Sequence, residues 1–229
     1  MIKLIPILLA LAYGLVMYRL SIWRTARELK QKSTELTDPM LRQMCDQLAA
    51  ALDIKRVRVY IYEIKPVNGL AAPDGRIFIT RGFYNKFREG TVSAAEMASV
   101  IAHELGHVAL GHSRRRMIDF SSQNALRTVL AMVLSRFIPG GGVWIANGFT
   151  KLLAAGLSRS DEYEADAYAA ALLVKAGIGI EPQITLFEKL EALTKAGPNQ
   201  APAWLLSHPI TPKRVQALKN LRDKWECSV

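Results

Sequence analysis

The residues best suited to chemistry are the five from His103 to His107, which read H-E-L-G-H. A helix turns by about 100° per residue, so the two histidines share a face and both imidazoles can reach one ion. Glu104 projects beside them, where a carboxylate can take a proton from water. The pattern can arise by chance in a charged helix, but small and apolar neighbours and a downstream acid favour a metal site. We predict zinc, with Glu104 as general base.

A catalytic zinc usually has three protein ligands and one open position, so a third ligand is needed. His112 is one candidate, but on a continued helix it would point about 140° away from His107. Glu162 is the better candidate, because it shares a face with Asp166 on a helix predicted to begin near Ser158. Apolar residues follow, and a buried carboxylate pair without a cation would be costly. We therefore predict Glu162 as a ligand, Asp166 as support for a ligand histidine, and His112 as a structural hydrogen-bonding residue.

The helix that carries the two histidines has a clear start. Ser93 and Glu96 form a capping box, and apolar residues extend the helix towards Gly111. Alternating side chains over residues 57–62 predict a strand, and a second strand is predicted from Arg76 to Thr80, after a turn. Further helices are predicted over residues 27–36, from Asp38 and Pro39 to Leu52, from Pro182 to about Gly197, and from Thr211 and Pro212 onward.

The N-terminus is apolar. Residues 4–18 contain no charge, and extension to Trp23 gives a length that suits a hydrocarbon core of about 30 Å. Arg19 can reach the headgroups, and Trp23 suits the interface. A cleaved signal peptide is the competing interpretation, but its apolar stretch would be very short. We predict a membrane anchor in residues 1–24 and a zinc metalloprotease domain in residues 25–229.

Charge predicts the orientation of the chain and limits its partners. The 229 residues include 30 Lys and Arg against 20 Asp and Glu. The positive-inside rule predicts a single-pass protein with a cytoplasmic-facing catalytic domain, or a periplasmic or extracytoplasmic one if the N-terminus acts as an export signal. The sequence contains no recognisable nucleic-acid-binding motif, so no nucleic-acid partner is expected. The basic residues that follow the apolar segment are Arg19, Arg24, Arg27, Lys30 and Lys32.

A second apolar region, residues 125–157, is divided by P-G-G-G at residues 139–142. Each half is too short to cross a bilayer alone, so we predict a helical hairpin inserted in the protease domain. Two interpretations remain open: a buried pair of core helices, or an element that dips into the membrane or gates the site. Lipid contact is expected through residues 4–23 and, under the second interpretation, through residues 125–157.

The motifs together resemble the membrane-associated gluzincins, the family that includes the CAAX prenyl endopeptidase and the bacterial heat-shock protease HtpX. The resemblance covers roughly residues 67–215. It implies an α+β, mainly helical fold: a zincin-like metalloprotease domain with a small β-sheet and an N-terminal membrane-anchor helix. The motifs that carry it are H-E-L-G-H, S-R-x-x-E-x-x-x-D at Ser158 to Asp166, S-H-P at 207–209 with Arg214, and Asn68 with Pro73 and G-R-I-F at 75–78.

The resemblance also implies roles for these residues. One zinc ion per chain would be held by the ligands named above, with Asp166 supporting His103. His208 would stabilise the oxyanion or approach zinc in a resting state, although a turn residue before a helix is the plainer interpretation, and Arg214 would help to place its loop. An extended substrate would add beside an edge strand formed by Arg76, Ile77, Phe78, Ile79 and Thr80.

The expected reaction is hydrolysis of peptide bonds. Zinc lowers the pKa of a bound water and polarises the scissile carbonyl, while Glu104 takes the proton and passes it to the leaving amine. Strand addition gives little sequence selectivity, so the polypeptide substrates are expected to be unfolded or misfolded and near the membrane. Two alternatives remain: a membrane-bound chaperone-like or assembly factor that acts mainly by binding, and a zinc enzyme that cleaves a non-peptide bond.

Overall fold

The computed structural model describes residues 19–20, 23–24, 27–72, 74–112, 142–195 and 202–227, with the backbone alone over 142–158, 193–195 and 206–207. These ranges form mainly helices with one small sheet, so the predicted mainly helical α+β class is confirmed. In chain order the principal elements are β1 (Ser33–Glu35), α1 (Pro39–Ala51), β2 (Val59–Tyr62), β3 (Gly69–Ala71), β4 (Ile77–Thr80), α2 (Arg81–Arg88), α3 (Ala94–Ala109), α4 (Gly142–Lys175), α5 (Glu181–Lys195), α6 (Trp204–Ser207) and α7 (Pro212–Glu226).

The sheet has the strand order β1-β2-β4-β3. β2 and β4 run parallel, whereas β1 and β3 pair antiparallel with their neighbours. Because β4 is paired on both sides, the prediction that residues 76–80 form the edge strand for substrate is wrong. The edge on that side is β3. Its sequence is Gly-Leu-Ala, which has no β-branched residue and is too short to show alternation, so no strand was predicted there.

The two faces of the sheet are covered differently. Ile77 and Ile79 point into the main core, while Phe78 points to the opposite face and stacks on Tyr60 with ring centroids 5.5 Å apart. Leu29, from a helical stretch over residues 27–31, covers these rings. The helix predicted over residues 27–36 therefore ends early, because residues 33–35 pair with β2 as a strand.

Helix α3 is the central element and is buried from Glu96 to His107. The predicted capping box is confirmed: Ser93 Oγ accepts from the Glu96 N–H at 3.1 Å, and the Glu96 carboxylate accepts from the Ser93 N–H at 2.8 Å. Gly106 lets α4 approach closely, since a Cβ at this position would lie only 3.1 Å from the carbonyl oxygen of Ala165. This contact brings the acidic block of α4 beside the histidines of α3.

Helix α4 runs without a break from Gly142 to Lys175. The prediction of a helix that begins near Ser158 is therefore wrong, because the acidic block lies within a helix that also includes part of the second apolar region. Residues 113–141, and with them the first arm of the predicted hairpin, lie outside the described residues. Among the described helices, none is both long and apolar enough to cross a membrane. Most of the predicted anchor also lies outside them.

Candidate metal centre

Four buried side chains converge between α3, α4 and the segment before α7. His103, His107, Glu162 and His208 each offer one possible ligand atom, and these atoms all lie within 4.8 Å of one another. Nε2 of His103 and Nε2 of His107 are 3.1 Å apart. The Glu162 carboxylate oxygens lie 3.4 Å from the first of these atoms and 3.5 Å from the second. The structure thus brings the three predicted ligands together.

The donor atoms and the charge of this cluster suit a divalent cation. Imidazole nitrogen and carboxylate oxygen are usual ligands of catalytic zinc. With neutral histidines, the buried carboxylates of Glu104, Glu162 and Asp166 and the guanidinium of Arg214 carry a net formal charge of −2. A divalent cation would neutralise this charge, whereas a buried excess of carboxylates without a cation would be costly.

The pKa shifts of His103 and Glu162 also indicate that the site favours positive charge. Burial lowers the pKa of His103, but the contacts with Asp166 and Glu162 outweigh burial and raise it to about 9. Burial raises the pKa of Glu162, but His103 and His208 hold it well below its ordinary value. The same carboxylates that favour a proton on His103 would also favour a bound metal cation.

Asp166 and Arg214 form a buried pair behind the ligands. Asp166 Oδ1 lies 3.0 Å from His103 Nδ1, the ring nitrogen on the side away from His107. Arg214 donates to both Asp166 oxygens, at 2.6 and 2.7 Å, and to the carbonyl oxygen of Pro209 at 2.8 Å. The Asp166 carboxylate thus lies beside the His103 ring and is held by Arg214, which also contacts the S-H-P loop. The supporting roles of Asp166 and Arg214 stay predictions.

Glu104 lies beside the four converging groups and has a partner that sequence reasoning missed. The indole Nε1–H of Trp204 donates to Glu104 Oε1 at 3.2 Å, and His208 Nε2 lies 3.4 Å from the same oxygen. The Trp204 backbone N–H donates to the carbonyl oxygen of Val67 at 3.0 Å, which ties the start of α6 to the chain just before β3. The sequence signal for the contact with Glu104 is the position of Trp204, three residues before the S-H-P motif that carries His208.

His208 lies within contact distance of the candidate ligands, which a role as a turn residue alone does not explain. Its Nδ1 lies 2.9 Å from Glu162 Oε2 and 3.4 Å from His103 Nε2, while its Nε2 faces Glu104. The ring therefore bridges the candidate ligands and the candidate base. Both interpretations of its role, as a group that stabilises an oxyanion and as an additional ligand, stay predictions.

The edge strand β3 passes directly over the base. A Cβ at Gly69 would lie 3.7 Å from Glu104 Oε1 and 3.0 Å from Val100 Cγ1, so the first residue of β3 adjoins the candidate base. The strand predicted to bind substrate, residues 76–80, lies one strand further into the sheet. The edge nearest the site is β3.

The chain is similar to known metalloproteases over most of its length. Residues 35–222 match the family model of peptidase family M48. The chain is 29% identical over 187 residues to Metalloprotease LoiP of Escherichia coli, which covers 79% of this chain and 68% of that protein. It is 27% identical over 202 residues to a Putative beta-barrel assembly-enhancing protease of Vibrio cholerae (82% and 40%), and 28% identical over 207 residues to a Protease HtpX homolog of Bordetella avium (77% and 68%). The predicted family is confirmed, and the chain belongs to peptidase family M48, a family of metalloproteases.

Proposed function

We propose that this metalloprotease is a zinc-dependent endopeptidase in which His103, His107 and Glu162 hold the ion and Glu104 is the general base. The observation that supports this most directly is the convergence of buried imidazole and carboxylate groups within 4.8 Å, beside the buried carboxylate of Glu104. Two histidines and one glutamate are a usual ligand set for zinc that keeps one position open for reaction.

When bound, zinc supplies a Lewis acid that polarises the scissile carbonyl and makes water more acidic. Glu104 takes a proton from the attacking water and delivers it to the leaving amine as the C–N bond breaks. The contacts from Trp204 and His208 both fall on Glu104 Oε1, so we assign proton transfer to Oε2. We assign to Trp204 the positioning of this carboxylate and to His208 a hydrogen bond to the developing oxyanion.

Substrate binding is assigned to β3. One side of this strand pairs with β4 through Gly69, Leu70 and Ala71, and its other side is unpaired with any strand among the described residues. An extended peptide that adds to this side would be held by main-chain hydrogen bonds and would pass over Glu104. Such binding favours unfolded or misfolded segments, because they expose backbone groups.

The location of the substrates follows from the proposed membrane anchor in residues 1–24. Trp23 is 55% exposed, and the Arg27 guanidinium lies 5.3 Å from the centroid of its ring. A large exposed aromatic ring beside a cation suits the interface between hydrocarbon and anionic headgroups. We therefore propose that the protease domain, residues 25–229, lies next to the membrane, with membrane-near proteins as substrates. The basic residues that follow the apolar segment favour its cytoplasmic side.

The test compares wild type with Glu104→Gln, using the full chain purified in detergent. Wild type is expected to degrade an unfolded protein such as casein and to lose activity with a chelator. Glu104→Gln is expected to lose about 10²–10⁴-fold in kcat with its zinc content and circular dichroism unchanged. An active Glu104→Gln variant would contradict the role of this base. Inactive wild type that nonetheless binds zinc and unfolded chains would favour a chaperone-like or assembly factor.

A further inference from the structure

His112 does not point away from the metal centre, as a continued helix would require. Helix α3 ends at Ala109, and Gly111 adopts a left-handed conformation with φ of +68° that reverses the chain. The turn brings His112 back onto α3 with 0% of its surface exposed. Its Nδ1 lies 2.8 Å from Nδ1 of His107, and the two rings meet edge to face.

A nitrogen-to-nitrogen distance of 2.8 Å requires one donor and one acceptor. In the proposed site, Nε2 of His107 uses its lone pair to bind the ion, so the proton of this neutral ring sits on Nδ1. Nδ1 of His112 must then be the acceptor, and the proton of the His112 ring sits on Nε2. That nitrogen lies 3.4 Å from Glu164 Oε2 and 3.9 Å from Asp161 Oδ1. The contacts therefore define one direction of hydrogen bonding, from His107 through His112 to carboxylates on α4.

We propose that His112 is a positioning residue for the metal: it fixes the tautomer and the ring orientation of His107. The inference rests on the proposed function, because it takes His107 as a ligand. His112 would support His107 in the way proposed for Asp166 and His103, whose Oδ1 and Nδ1 atoms lie 3.0 Å apart. Partners of this kind orient a metal-bound imidazole and raise its basicity.

Two substitutions separate this role from simple packing. His112→Asn keeps an acceptor oxygen near the place of Nδ1 but cannot reach Glu164. His112→Gln places its amide near the former Nε2 and leaves no acceptor beside His107. Both are polar, and they differ by one methylene, so a residue that merely fills space would tolerate the two to a similar degree. Glu164→Gln, which keeps an acceptor for the His112 Nε2–H, is the matched control on α4.

The readout is zinc affinity of the full chain, measured by competition with a chromophoric chelator, together with the visible spectrum of the cobalt-substituted protein. His112→Gln is expected to weaken zinc binding about 10- to 100-fold and to shift the cobalt bands. His112→Asn and Glu164→Gln are expected to stay within about threefold of wild type. Circular dichroism and thermal unfolding of the metal-free proteins check that each variant folds.

Equal zinc affinity of the Asn and Gln variants, whether both match wild type or both are weakened alike, would overturn the inference. A loss of metal-free stability in both, with unchanged affinity, would also overturn it, because that pattern is packing alone. The metal site itself is tested separately with His107→Ala. If this variant binds zinc as tightly as wild type, then the proposed function fails, whatever the result at His112.

Discussion

The buried pair of Arg214 and Asp166 allows a quantitative test of how the site is held. Arg214 is 2% exposed, and its guanidinium makes three hydrogen bonds, two of them to Asp166. Arg214→Met keeps the approximate length of the side chain and its apolar stem but removes the cation. Asp166 and Glu162, whose Oε2 lies 3.4 Å from Arg214 Nη1, are then left buried without it.

Loss of one partner of a buried ion pair costs about 3–5 kcal/mol. Because a domain is typically stable by about 5–15 kcal/mol, the metal-free variant should lose a large part of its stability. A bound zinc ion would compensate part of the buried negative charge, so the loss of stability should be smaller in the zinc-loaded protein. Arg214→Lys keeps the charge but cannot donate to both oxygens of Asp166 and to Pro209 at once, so it should cost about 1–2 kcal/mol.

The assay is urea unfolding of wild type, both Arg214 variants, Asp166→Asn and the double variant Asp166→Asn/Arg214→Met, each with and without zinc. Because the neutral amide needs no cation, the double variant should be more stable than the sum of the single losses predicts, by about 1–3 kcal/mol. A loss below about 1 kcal/mol for metal-free Arg214→Met, or strict additivity in the double variant, would refute the reasoning that this pair compensates buried charge.

Three further perturbations test other contacts. Trp204→Phe removes the N–H that donates to Glu104 and should lower kcat about tenfold (~1.4 kcal/mol) with zinc affinity unchanged. A kcat equal to that of wild type would contradict the role of Trp204 in positioning Glu104. Gly82→Ala places a Cβ 1.8 Å from a backbone carbonyl oxygen and should destabilise the fold by about 3 kcal/mol, and a wild-type melting temperature would contradict the packing described. Burial raises the pKa of Glu96, but its hydrogen bonds, of which the one from Lys189 has the largest effect, hold the pKa below the ordinary value of 4.5. Glu96 therefore stabilises the protein above that pH, so Glu96→Gln should cost about 1 kcal/mol in urea unfolding at pH 7 and less below pH 4.5, whereas a pH-independent cost would exclude the charge as its cause.

Elements with a local signal could be predicted from sequence alone. The capping box at Ser93 and Glu96, Asp38 before Pro39, and Thr211 before Pro212 satisfy backbone groups next to themselves, and the helix starts at these places are as predicted. The i, i+4 spacing of the histidines and of Glu162 and Asp166 predicted correctly which side chains share a face of each helix. The two faces meet because Gly106 lets α4 approach α3.

Features that depend on distant parts of the chain were predicted wrongly or missed. β3 is a strand only because β4 offers it a partner, and Leu70 pairs with Phe78 across that contact. The predicted direction of His112 held only for a continued helix, whereas Gly111 reverses the chain after α3 and brings His112 to within 2.8 Å of His107. Trp204 reaches Glu104 from 100 residues away, and no periodicity within either segment reports such a contact.

The distance along the chain between Asp166 and Arg214 has a consequence during synthesis on the ribosome. They are 48 residues apart, so at about 5–20 residues per second Arg214 is made roughly 2–10 s after Asp166. During that interval α3 and α4 can pack through Gly106, but Trp204, His208 and Arg214 have yet to be made. The order of translation therefore delays completion of the site until the segment before α7 docks. A nascent chain holds the three candidate ligands, with Asp166 and His112, before it holds the groups that contact Glu104, Glu162 and Asp166 from the C-terminal part of the chain.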